Sequence, residues 1–131
     1  MSYIIRDHDK NIFEKMKKEI ENNANFLNKK YGDIITVEIS DTYYNMGDVI
    51  KDHLYIVDYA RKAMENLDIK PLINPIRGGT DGSKLSFMGL PCPNIFTGGM
   101  NFHGIYELIP IEDMEKSSQV ILEIIKLIEE S

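Results

Sequence analysis

The sequence predicts an α/β (α+β) fold, because segments with strand periodicity alternate with segments of helical periodicity along its 131 residues. Residues 33–40, "DIITVEIS", place an apolar side chain at every second position, which is typical of a half-buried strand. Residues 11–31 instead repeat apolar side chains every three or four positions, which is typical of an amphipathic helix. With residues 2–6, "SYIIR", as a further strand, this order predicts a β-α-β unit at the start of the chain.

Each element has its own local signals. The first helix has Asp9 or Asn11 as a candidate N-cap and Gly32 as its stop. An apolar stripe from Leu54 to Leu67 predicts a second helix. The remaining predicted elements are a short strand at 72–76, a two-turn helix at 82–89, a buried strand at 94–99 and a long helix from about residue 111.

Composition excludes several classes of function. The formal net charge is −6 and no long basic run is present, which argues against a nucleic-acid partner or an anionic membrane surface. No apolar stretch approaches the roughly 18 residues of a membrane span, and residues 1–10 lack the layout of a secretory signal. We therefore expect a cytoplasmic protein that binds a small molecule or another protein. The single Cys92 is expected to be a small apolar filler.

The stretch "IRGGTDGSKL" is a candidate anion site. A predicted strand is followed by two glycines and by Thr80 and Asp81 at a helix start, so free backbone N–H groups lie beside the forked donor of Arg77. The spacing matches neither a Walker loop nor a dinucleotide fingerprint, which disfavours nucleotide binding. The alternative is a tight turn in which Thr80 or Asp81 only caps the helix.

The stretch "GGMNFHG" places His103 on a glycine-flanked loop after a predicted buried strand. Loops at strand ends often hold functional side chains, so His103 is either a ligand or a structural histidine. Glu107, four residues further on, either orients the imidazole through its second nitrogen or is a solvated charge. Arg6, at the end of the first predicted strand, is either a site residue or a surface charge.

A family resemblance links these motifs. Residues 75–117, with the glycine turn, the Thr-Asp pair, the "GLP" strand entry and "NFHG" in order, closely resemble the C-terminal part of the peptidase T family. That family consists of zinc aminotripeptidases related to aminoacylases and desuccinylases. The resemblance extends backward through "IIRDHD", "YYNM" and "ARKAMENLDI", and so covers nearly the whole chain.

The resemblance implies two partial domains. Residues 1–46 correspond to the C-terminal part of a lid and dimerisation domain, and residues 47–131 to the C-terminal part of a catalytic domain that holds two zinc ions. It also implies that His103 is the final zinc ligand and that Arg77, Gly79 and Thr80 cradle the carboxylate end of the substrate. Arg6 corresponds to a lid arginine that reaches the same end. The other metal ligands and the catalytic base are expected upstream, so no catalytic residue is expected here.

The expected function is therefore that of a C-terminal fragment of an aminotripeptidase, which removes the N-terminal residue of tripeptides with a zinc-activated water. The chain is expected to be inactive alone and to form a homo-oligomer, most simply a two-fold dimer. The alternative is a non-catalytic self-associating or regulatory module derived from such a peptidase.

Overall fold

Helices account for the regular structure of the chain. The computed structural model describes residues 1–76 and 78–131, and within these residues helices make up 50% of the chain and strand 2%. The helices in chain order are α1 Lys10–Tyr31, α2 Gly47–Ile50, α3 Leu54–Asn66, α4 Asp81–Phe87 and α5 Ile111–Glu129. The four longer helices lie where periodicity and capping signals predicted them, whereas the single turn of α2 was not predicted.

Helix α1 begins and ends at residues that the sequence marked. The Asp9 carboxylate accepts the backbone N–H groups of Asn11 and Ile12 at 2.8 and 3.0 Å, so Asp9 rather than Asn11 is the N-cap. At the other end Gly32 has φ 88°, a conformation that glycine adopts without a side-chain penalty. Both predicted ends of this helix are confirmed.

The segment after α1 is bound to that helix through side chains. Asn28 donates its amide to the carbonyl of Ile35 at 2.8 Å and accepts the N–H of the same residue at 2.9 Å. The ammonium of Lys17 lies 3.1 Å from both Asp41 and Glu14. Polar side chains of α1 therefore satisfy backbone and charged groups of residues 34–41.

Helices α3 and α5 pack against each other. Ala63 on α3 and Val120 on α5 are completely buried. At the edge of the contact, Asn66 donates a 2.8 Å hydrogen bond to Glu123. This pairing supplies the core of this part of the chain and confirms the two predicted helices. Ala63 and Val120 were not among the apolar residues whose spacing predicted these helices, and several of those residues, among them Leu54, Ile121 and Ile125, are exposed.

The predicted α/β fold class is wrong. Residues 2–6, 33–40, 72–76 and 94–99 form no strand, and within the described residues the only β-bridge joins Met100 to Leu108. The physical reason is that alternation specifies which side chains share a face, whereas a strand also needs a neighbouring backbone to bond. At Ile35 the Asn28 side chain takes the place of that neighbour.

The chain divides into two compact units. The first unit comprises Met1–Asn45 with Pro75–Gly79, and the second comprises Met46–Asn74 with Thr80–Ser131. The assignment of residues 1–46 to a lid and of 47–131 to a catalytic domain stays a prediction. Each helix of the described chain is too short or too polar to cross a membrane.

Candidate functional site

A closed loop presents His103. Met100 and Leu108 exchange backbone hydrogen bonds of 2.8 and 3.2 Å, which bring the two ends of the loop together. Inside it, the N–H of Gly104 donates to Asn101 at 2.9 Å and the N–H of Glu107 donates to Gly104 at 3.1 Å. Residues 100–108 are thus held by their own backbone, which fixes the position of the histidine between them.

The backbone of His103 has an uncommon conformation. Its φ is 66°, in the left-handed region that few residues other than glycine occupy, although histidine enters it more readily than most. The side chain is exposed. Glu107 does not approach the imidazole as one prediction required, because its carboxylate accepts the backbone N–H of His103 at 2.9 Å.

The glycines before the histidine allow close packing. Gly98 has φ 85°, and a Cβ at this position would collide with Asp113 in the first turn of α5. A Cβ on Gly99 would lie 2.5 Å from the ring of Phe102. The backbone of the motif therefore packs against a helix start and against an aromatic ring of its own loop.

The donor set is incomplete for a metal site. Across residues 1–76 and 78–131, no three His, Cys, Asp or Glu side chains are grouped so that they could hold an ion. His103 fits the requirements of one ligand, because its imidazole is exposed on an ordered loop and hydrogen-bonds no described residue. A zinc centre normally needs three or four protein donors, so the described residues do not form such a centre by themselves.

The predicted anion turn lies at residues 77–81. Arg77 lies outside the described residues. Gly79 packs against the ring of Tyr43, and a Cβ at Gly79 would overlap that ring, whereas a Cβ at Gly78 would meet nothing within 4 Å. No local sequence pattern connects Tyr43 with Gly79, since the two positions are far apart in the chain.

Thr80 caps helix α4. Its hydroxyl accepts the N–H of Ser83 at 3.2 Å and lies 3.5 Å from the side-chain oxygen of Asn94. Its backbone is extended, with φ −135° and ψ 161°, as expected of an N-cap. The capping interpretation therefore describes what the Thr80 hydroxyl does in this structure.

Small residues bring α4 close to the chain that follows it. Gly82, Ser83 and Ser86 are buried, and a Cβ on Gly82 would lie 2.5 Å from the carbonyl oxygen of Cys92. Ser86 donates to the Gly82 carbonyl at 2.7 Å and accepts the Cys92 N–H at 3.0 Å. The small residues at positions 82, 83 and 86 are a sequence signal for this close contact, and the prediction of the helix did not use it.

The predicted site residues are divided between the two units. Arg6, which is exposed, and Gly79 belong to the first unit. Thr80 and His103 belong to the second. The described geometry thus consists of separate local arrangements: the packing of Gly79 on Tyr43, the cap formed by Thr80, and the His103 loop.

Comparison with known proteins identifies the relatives of the chain. No family model matches it. The chain is 61% identical over 126 residues to a protein of Fusobacterium nucleatum and 57% identical over 131 residues to one of Bacillus licheniformis, which covers 95% and 99% of the chain. A third relative, from Parabacteroides distasonis, is 48% identical over 127 residues. All three relatives are peptidases.

More specifically, each of the three is named peptidase T. The chain is thus related to peptidase T along nearly its whole length, which confirms the resemblance inferred from its motifs. It spans about a third of the length of these relatives, 31% and 32% of the first two. That share is consistent with the expected C-terminal portion.

Proposed function

We propose that the chain is the C-terminal portion of a peptidase T-like aminotripeptidase, an enzyme that removes the N-terminal residue of tripeptides. The observation that carries the proposal is 61% identity to a peptidase T over 95% of the chain. The substrate, the homo-oligomeric state and the cytoplasmic location are parts of the same proposal.

Within this enzyme, His103 is proposed to be one zinc ligand, and residues outside the chain would supply the others. Its exposed imidazole on an ordered loop supports this role. Two zinc ions, when bound, would polarise the scissile carbonyl and lower the pKa of a water molecule. The contribution of this chain is to hold one imidazole donor at a fixed place.

The second proposed contribution is a clamp on the substrate carboxylate, formed by Arg77, Gly79 and Thr80 with Arg6. The Thr80 hydroxyl is engaged in the cap of α4, so Thr80 would donate its backbone N–H to the substrate. Gly79 would donate its backbone N–H in the same way. The two arginines would add charge-assisted hydrogen bonds.

A chimera tests the proposal. The matching segment of the Bacillus licheniformis peptidase T is replaced by this chain, and tripeptide hydrolysis and bound zinc are measured. We expect an active chimera, and we expect His103→Ala to lose nearly all activity together with zinc at one position. His8→Ala, which removes an exposed histidine from the first unit, is the matched control and should change neither.

The isolated chain provides the complementary measurement. We expect it to release no amino acid from tripeptides at any zinc concentration, because one protein ligand does not hold a hydrolytic zinc ion. Hydrolysis by the isolated chain that a chelator abolishes would contradict this part of the proposal. An inactive parental chimera, or a His103→Ala chimera with full zinc and normal turnover, would contradict the rest.

The second candidate is a non-catalytic, self-associating or regulatory module. The observation that favours it is the number of large apolar side chains exposed on α5, among them Leu122 at 67% and Ile125 at 58%. The chimera separates the candidates, because a module without a catalytic role would not support hydrolysis there.

A further inference from the structure

We propose that Glu107 is a positioning residue, which holds the backbone of His103 in its left-handed conformation and thereby sets the direction in which the imidazole side chain leaves the main chain. The inference rests on the proposed role of His103 as a ligand. It concerns an interaction with the main chain of a ligand residue, whereas the usual partner of a metal-binding histidine is bonded to its second ring nitrogen.

The conformation of His103 requires a stabilising partner. A residue other than glycine with φ near 66° is higher in energy than in the right-handed regions, so it persists where its surroundings enforce it. The 2.9 Å hydrogen bond from the His103 N–H to the Glu107 carboxylate is the contact that acts directly on this residue's backbone. Because the acceptor is charged, the bond is stronger than a neutral one.

The geometry of the loop aims the Glu107 carboxylate. The backbone N–H of Glu107 is bonded to Gly104, and the adjacent Leu108 is paired with Met100. Asn101 donates its side-chain amide to Tyr106 at 3.3 Å, which closes the same turn from the other side. Glu107 therefore starts from a fixed backbone and reaches back four residues to His103.

This arrangement leaves the imidazole available. The Glu107 carboxylate is bonded to the main chain, and the His103 ring is exposed without a hydrogen bond to any residue within 1–76 or 78–131. Both ring nitrogens remain open to a ligand, while the hydrogen bond behind the ring holds the backbone φ that sets the direction of the Cα–Cβ bond. The backbone thus sets the direction in which the side chain leaves the main chain.

The first test measures the hydrogen bond in the 131-residue chain. Hydrogen exchange and the amide–Hα coupling of His103 are followed by NMR in the wild type, Glu107→Gln and Glu107→Ala. Loss of a bond to a charged acceptor should accelerate exchange at the His103 amide by about tenfold or more in Glu107→Ala. Glu107→Gln retains an acceptor oxygen and should stay within about threefold of the wild type, because a neutral acceptor is weaker but present.

The amides of Met100 and Leu108 are internal controls for the fold of the loop. They should keep their protection in both variants, since their hydrogen bonds do not involve Glu107. Equal exchange at His103 in the wild type and Glu107→Ala would overturn the proposal. Loss of protection at all three amides would also overturn it, because Glu107 would then support the loop as a whole.

The second test measures the consequence in the chimera described above. Removal of a residue that orients a ligand typically weakens metal affinity by about 10–100-fold. Glu107→Ala should therefore weaken zinc affinity by that factor at one of the metal positions. Glu107→Gln should recover most of the affinity, and kcat should fall in Glu107→Ala with little change in KM. Unchanged zinc affinity in Glu107→Ala would overturn the positioning role, provided that His103→Ala does lose zinc. If His103→Ala keeps its zinc, the proposed function fails instead.

Discussion

Three residues other than glycine have a positive φ, among the residues that the structure describes, and two of them lie in one loop. Asn101 and His103 have φ 55° and 66°, and Asp68, just after α3, has φ 57°. Asparagine and aspartate tolerate this region because their short polar side chains bond locally. His103 lacks that compensation, so the loop holds it at a cost, as is common for residues at functional sites.

Replacement of His103 should therefore separate stability from function. We expect His103→Gly to raise the free energy of unfolding by about 0.5–1 kcal/mol, since glycine relieves the positive φ and loses part of the gain to backbone entropy. His103→Ala should give no such gain, because alanine has the same backbone penalty. Urea unfolding measures both, with His8→Gly as the control at a position without a positive φ. Destabilisation by His103→Gly would refute the strain at this residue.

The adjacent glycines of the anion turn offer a second comparison of single residues. Gly79→Ala should destabilise the chain by about 1–3 kcal/mol, because its Cβ would overlap the Tyr43 ring. Gly78→Ala should be neutral or slightly stabilising, since a Cβ there meets open space. Urea unfolding of both variants, and of Gly79→Ala combined with Tyr43→Ala, measures the effect. Equal effects of the two glycine substitutions would contradict the packing of Gly79 on Tyr43.

At the scale of elements, the sequence predicts helices better than strands for a physical reason. A helix is specified by neighbours within four residues, so Asp9, Gly32 and the apolar stripe of α1 were sufficient to place it. A strand also needs hydrogen bonds to the backbone of a neighbouring segment, and the periodicity of one segment does not specify which segment that is. Residues 33–40 alternate cleanly, yet the bonds of Ile35 go to the Asn28 side chain. Helix α2, with four residues, is too short to produce a periodic signal.

For the candidate site too, the sequence predicted some local features and missed contacts between distant residues. The glycines of the loop correctly indicated close backbone packing next to His103, and the cap at Thr80 was one of two stated alternatives. Sequence reasoning did not find the contact between Tyr43 and Gly79, or the backbone acceptor role of Glu107. Both depend on where the chain returns in space, which no local pattern specifies.

The ion pairs of α1 lead to a prediction about pH. The hydrogen bond to Asp41, followed by that to Glu14, raises the pKa of Lys17 above its ordinary value of 10.5. A raised lysine pKa means that the folded chain favours the charged form, so this contribution is complete below pH 10.5 and disappears as pH rises through the higher folded value.

Lys17→Met isolates this contribution. The difference in unfolding free energy between the wild type and Lys17→Met should be constant from neutral pH to about pH 9 and should shrink above 10.5. Urea unfolding across this pH range measures it. A difference in unfolding free energy that grows at alkaline pH would contradict a raised pKa of Lys17 in the folded chain.

At the scale of the whole molecule, the second unit has more apolar side chains than its own packing covers. Val120, Ile124 and Leu127 of α5 are buried or half-buried, on the side of the helix that includes the contact with α3. A separate stripe at three- and four-residue spacing is largely exposed, with Ile121 at 48% and Ile128 at 53%. Extended exposed apolar stripes favour association.

We therefore expect the 131-residue chain to self-associate in solution, most simply as a two-fold dimer. Ile125→Lys, in the middle of the exposed stripe, should weaken association at least about tenfold, because burial of a lysine ammonium against apolar side chains is unfavourable. Gln119→Lys adds the same charge at an exposed position of the same helix and should leave association unchanged. Sedimentation velocity measures the mass of each variant, and circular dichroism checks that the helices persist. A wild-type chain that remains monomeric at micromolar concentration would show that the stripe on α5 does not drive self-association.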